Sequence, residues 1–118
     1  MPQITVDYSH AIDHAFDRAG FARALHGATV EIAAAKPEAC KTQFRASGFT
    51  AFGYEDPEAE EHAVVHVTIG LLAGRSEETK ARLTEAVLAL LREHIEDDGP
   101  VLHASAEIRD LDASYRKF

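Results

Sequence analysis

Apolar and polar residues alternate at the start of the chain. Ile4, Val6 and Tyr8 fall on one side and Gln3, Thr5 and Asp7 on the other, the period of a half-buried strand. Residues 9–18 carry no clear period and read as a loop or a short turn of helix. From about Asp17 the spacing changes: Phe21, Leu25, Ala28 and Ile32 recur at helical intervals, and the segment stays rich in Ala and Leu through Ala35. Lys36-Pro37 ends the helix, because the residue before a proline is pushed out of the helical region. Alternation then returns, with Cys40, Thr42, Phe44 and Ala46 against Lys41, Gln43 and Arg45. Gly48 marks a bulge or bend ahead of Phe49, Ala51 and Phe52. Gly53 to Glu61 is acidic, contains glycine and proline, and reads as a flexible loop.

The second half repeats the plan. Ala63 to Leu72 is strongly β, with Val65, Val67, Ile69 and Leu71 on one face. Gly74-Arg75-Ser76 breaks the strand; Ser76 suits a helix N-cap, and Glu77 and Glu78 suit the positive end of the helix dipole. Leu83, Ala86, Val87, Leu90, Leu91, His94 and Ile95 trace a wide helical stripe that Asp97-Asp98-Gly99-Pro100 stops. A last alternating strand places Leu102, Ala104, Ala106 and Ile108 together, followed by a polar tail. The pattern predicts an α+β protein: one domain over 1–118, made of two β-α-β repeats at about 2–53 and 62–110. Each repeat requires a crossover and so parallel strands. Two helices cover one face of a four-stranded sheet, and further copies of the chain are the simplest cover for the other.

Composition narrows the function. Of 118 residues, 12 are Lys or Arg and 20 Asp or Glu, a net charge of −8 that disfavours nucleic acid and anionic membrane as partners. The 46% hydrophobic content is that of a folded domain. No apolar run is long enough for a transmembrane helix, and the first residues lack the basic and apolar regions of a signal peptide. A single cysteine, Cys40, fits a reducing compartment. These features together lead to the expectation of a cytoplasmic protein.

Three places hold candidate chemistry. Pro2 would become a secondary amine if Met1 were removed; held at the start of a strand near cations and apolar walls, such an amine loses basicity and becomes a base at neutral pH. The plainer reading is a proline tolerated at a strand's first residue. Arg75 stands between a strand end and a helix N-terminus, where an anion is favoured, or else pairs with Glu77 or Glu78 at the surface. Lys41 and Arg45, with Gln43 between them, form a cationic strand face suited to a dicarboxylate, or a charged sheet edge that resists aggregation. The spacing of His10 with His14 and of His62 with His66 gives no metal set, since no Glu or Cys completes one in sequence. Ser9 and Ser105 lack the context of a nucleophile. Cys40 adjoins Lys41, which lowers a thiol pKa, but lies on the apolar strand face and reads as structural.

Several segments together resemble the tautomerase superfamily, above all its 5-carboxymethyl-2-hydroxymuconate isomerase branch. They are Met1-Pro2 opening a strand that ends Asp7-Tyr8-Ser9, Ala63-Val64-Val65-His66-Val67-Thr68-Ile69, Ala73-Gly74-Arg75-Ser76-Glu77-Glu78-Thr79-Lys80, and Glu107-Ile108-Arg109-Asp110-Leu111. The resemblance covers nearly the whole chain. It implies a two-layer (β-α-β)2 fold with a four-stranded mixed sheet and two helices on one face, a homotrimer, and no cofactor. It further implies an isomerase in which Pro2 shuttles a proton along a 2-hydroxymuconate-type dienol while Arg75 holds a carboxylate or the developing oxyanion. Lys41 and Gln43 stand where the family usually carries arginines, and Arg45 offers a substitute. The tail is also shorter than is usual in the family. The rival expectation is a tautomerase-fold binding protein with little activity.

Overall fold

A computed structural model describes residues 1–118. The alternating segments form four strands, β1 (Gln3–Ser9), β2 (Lys41–Ser47), β3 (His62–Leu71) and β4 (Val101–Asp110). The two periodic segments form α1 (Arg18–Ala33) and α2 (Glu77–His94). The sheet order is β2-β1-β3-β4. β1 pairs parallel with β2 and β3 parallel with β4, while β1 and β3 meet antiparallel at the centre, with Gln3 opposite Gly70 and Tyr8 opposite Val65. Each half is therefore a β-α-β unit, as the twofold pattern requires.

One face of the sheet and the inner stripes of both helices make the core. Ile4, Val6 and Tyr8 of β1 and Val65, Val67, Ile69 and Leu71 of β3 are buried against Phe21 and Leu25 of α1 and Leu83, Val87 and Leu91 of α2. Truncating such a leucine to alanine costs about 2–5 kcal/mol, because a cavity remains where packing was. Phe16 joins the two ends of this layer: its ring meets Tyr8 edge-on at 5.4 Å and Phe44 at 5.7 Å, and its backbone bridges to Ile95. On α1 the buried stripe runs Phe21, Leu25, Thr29, Ala33, with Ala28 and Ile32 flanking it.

The differences from the sequence pattern have local causes. Residues 10–15 form a short 3-10 helix. Helix α1 stops at Ala33 rather than Ala35, because Ala34 turns left-handed at φ 57° and its N–H reaches back to the Thr29 carbonyl. β2 ends at Ser47, so Phe49, Ala51 and Phe52 belong to the following loop. The second sheet face, with Gln3, Thr5, Asp7, Val64, His66 and Thr68, carries no helix. Only 22 of 118 residues are buried in a single chain, which follows from that uncovered face.

Candidate functional site

Register brings the chemistry to one end of the sheet. Lys41 lies opposite Gln3 in the parallel pair, and its backbone N–H donates to the Pro2 carbonyl at 3.3 Å. Pro2 is fully buried at the head of β1. The amino terminus and the Lys41 Nζ both donate to the Ala39 carbonyl, each at 3.2 Å, so a strand-end amine and an ammonium converge on one acceptor. The amino-terminal amine is held below its ordinary value of 8.0. Burial is the largest cause, followed by the positive charges of Lys41 and Lys117, all of which disfavour another charge.

Arg75 sits in the loop from β3 to α2, just ahead of the Ser76 N-cap whose Oγ accepts from the Thr79 N–H at 3.1 Å. Its guanidinium does not pair with Glu77 or Glu78. Nε and Nη2 donate to the Ala33 carbonyl at 3.0 and 2.9 Å, and Nη1 donates to the Leu72 carbonyl at 3.2 Å. Arg75 thus fastens the C-terminal end of α1 to the end of β3, the strand whose Gly70 lies opposite Gln3. Of its five donors three are engaged, and one N–H on each terminal nitrogen remains for an anion.

Arg45 is placed elsewhere. It lies four residues beyond Lys41, about 13 Å along β2, and its Nε and Nη2 clasp both oxygens of Asp7 at 2.8 and 3.2 Å. The structure brings Pro2 and Lys41 together and sets Arg75 at the same end; it does not bring Arg45 there. Cys40 takes the structural course. Its thiol donates to the Lys36 carbonyl at 3.5 Å, and burial pushes its pKa up.

The C-terminal tail is the part that periodicity misses. Leu111 N–H donates to the Leu71 carbonyl at 2.7 Å, and the tail then returns toward β1, where Gln3 Nε2 donates to Tyr115 Oη at 3.0 Å. This return brings the charge of Lys117 to bear on the amino terminus. One sequence signal exists: Gly70 inside an apolar strand marks a close approach. A Cβ there would come within 2.7 Å of the Leu111 Cδ2. A groove of about 750 Å³ opens at the opposite end of the sheet, between the end of α2 and the start of β4. None of the candidate residues Pro2, Lys41, Arg45 or Arg75 lines it.

The chain matches the family described as 5-carboxymethyl-2-hydroxymuconate isomerase over residues 2–117. Among solved structures it is similar to a 5-carboxymethyl-2-hydroxymuconate isomerase from Deinococcus radiodurans R1, with a TM-score of 0.75 and 23% identity over 98% of this chain and 88% of that one. It is also similar to a 5-carboxymethyl-2-hydroxymuconate delta-isomerase, with a TM-score of 0.70 and 17% identity over 100% and 87%. A fused 4-OT wild type symmetric trimer gives a TM-score of 0.74 and 21% identity over 93% and 85%. No curated protein matches the sequence. The structural likenesses establish a tautomerase-like fold, and the family match runs from Pro2 to Lys117. The chain belongs to the 5-carboxymethyl-2-hydroxymuconate isomerase family of the tautomerase superfamily.

Proposed function

We propose that the chain is a cofactor-independent isomerase of 2-hydroxymuconate-type dienols, with Pro2 as its base once Met1 is removed. The observation that carries this reading is the head of β1, where Pro2 is buried and the Met1 amine just ahead of it is held below its ordinary value. Burial and the charges of Lys41 and Lys117 hold it there, surroundings that a Pro2 amine would inherit. A secondary amine in that place holds its proton weakly, so near neutral pH it is free to act as a base. It takes the proton from the enol oxygen of the dienol and returns it to the distal carbon, which leaves the conjugated ketone. The negative charge that gathers on oxygen during transfer is met by fixed cations, which contribute most where charge develops. Lys41 is the nearer cation, and Arg75 offers its two unengaged N–H groups to a carboxylate. Arg45, tied to Asp7, takes no part within one chain.

Three copies form the working unit in this reading, since the helix-free sheet face needs a cover. A second reading, a binding protein of the same fold, draws on the prior engagement of Arg75 by Ala33 and of Arg45 by Asp7. One experiment separates the two. Intact mass spectrometry is expected to show a chain beginning at Pro2, and Pro2→Ala is expected to lower kcat on 5-carboxymethyl-2-hydroxymuconate by about 10²–10⁴-fold with an unchanged circular dichroism spectrum. A retained Met1, or full activity in the variant, rejects the proline mechanism.

A further inference from the structure

The sequence spacing that sets His62 against His66 offers no metal set, but the fold supplies other partners for His62. One ligand atom each from Glu55, Glu61 and His62 lie within 4.8 Å of one another. We propose that these three side chains bind a divalent transition-metal ion of the zinc class, with His103 supporting the site from behind.

Two donors on one zinc ion at about 2.0–2.2 Å each stand no more than about 4.4 Å apart. Both glutamates are exposed and flexible, so the observed spread closes by small rotations of their side chains. His62 is the fixed member. Its Nε2 meets a Glu55 oxygen, while its Nδ1 stands 3.0 Å from the His103 Nε2. A metal-bound imidazole usually passes its other N–H to an acceptor, which sets tautomer and ring orientation, and His103 is placed to be that acceptor. Phe52 stacks on both rings at 4.2 Å, with interplanar angles of 13° and 21°, and holds their planes. Glu61 is anchored through its backbone, whose carbonyl accepts from the Val101 N–H at 2.9 Å.

Charge favours a cation here. No lysine or arginine occurs between Arg45 and Arg75, while the loop carries Glu55, Asp56, Glu58, Glu60 and Glu61. Neither Glu55 nor Glu61 pairs with a Lys or Arg side chain. An imidazole with two carboxylates suits zinc over magnesium, which prefers oxygen alone. The site lies at the start of β3, about 30 Å of strand from the residue beside Pro2. It therefore acts on the 48–61 loop, clamping it to the sheet, and stands apart from the proposed proton transfer.

The test uses the full chain, treated with chelator and dialysed, then titrated with ZnCl2 by calorimetry. One zinc per chain and a raised Tm are expected. Glu55→Gln and Glu61→Gln should each weaken zinc by tenfold or more, and His103→Ala by about 10–100-fold. His14→Ala, which removes an imidazole facing Asp98 at 3.4 Å, should bind zinc as the unaltered chain does. Absence of saturable binding overturns the proposal. So does equal affinity for MgCl2, or zinc affinity unchanged in both glutamate variants. Both glutamates are surface residues, so these variants remain folded and interpretable.

Discussion

Two glycines in one helix illustrate how a single Cβ changes sign with its surroundings. Glycine in a helix interior costs roughly 0.5–1 kcal/mol relative to alanine, mainly through the freedom it loses on folding. Gly27 is exposed, and nothing lies within 4 Å of the place its Cβ would occupy. Gly27→Ala should stabilise the protein by that amount and raise Tm by about 2–5 °C in thermal unfolding. Gly20 lies instead in the first turn of the helix, and its Cβ would stand 2.2 Å from the Asp17 Oδ2. That carboxylate is the N-cap of α1 and accepts the Gly20 N–H at 3.0 Å. Gly20→Ala must displace the cap, which costs about 1 kcal/mol and cancels the gain. A Gly20→Ala variant as stable as Gly27→Ala would show that the cap contributes nothing.

At the scale of elements, Arg18, which donates to the Tyr8 hydroxyl at 3.3 Å, Arg75 and His26 tie α1 to the sheet. Arg75 joins the end of α1 to the end of β3, and charged hydrogen bonds of this kind contribute about 1.5–3 kcal/mol where solvent is limited. Arg75→Ala should therefore lower Tm and raise KM together, whereas a residue serving substrate alone would leave Tm unchanged. His26 donates to or accepts from Thr42 Oγ1 at 2.7 Å, joining α1 to β2, and burial lowers its pKa below 6.5. The unfolded chain thus takes up the His26 proton first on acidification. Its contribution to stability is complete above pH 6.5 and fades as pH falls through the lowered native value. Urea unfolding between pH 7 and 5 should show a smaller loss of stability in His26→Gln than in the unaltered chain. The ties themselves are hard to read from sequence. The strands and helices are legible because each turns one face to a shared apolar core, so Val65, Val67 and Ile69 or Leu83, Val87 and Leu91 write their period into the chain. The Pro2 end was legible in part, because Lys41 alternates into the row beside β1. The Ala33 and Ala39 carbonyls that gather Arg75, Lys41 and the amino terminus are backbone atoms, which no residue letter announces. The returning tail has no period at all, and only Gly70 hints at it.

For the whole molecule, the distribution of charge matters more than its sum of −8. The end of the sheet at Pro2 carries Lys41, Arg75 and Lys117, while Glu55 to Glu61 lie at the start of β3, about 30 Å away. In the proposed reaction a small dianion would be met by these three cations in spite of the net charge, while Asp110 at the same end is already paired with Lys80. The same view of the whole chain exposes the helix-free face, where Thr5 and Thr68 pair at the centre of the sheet. Assembly through this face predicts a native mass about three times 12.9 kDa, measured by native mass spectrometry. Thr68→Arg places a long cation in the middle of that face without touching the helix layer, since Val67 and Ile69 on either side of it point into the core. The variant should run as a single chain with unchanged helical circular dichroism. If it also loses isomerase activity, the working site draws on a neighbouring copy. A Thr68→Arg chain that still assembles in threes would place the contact on the strand edges at β2 and β4 instead, because only the edges would then remain to join the copies.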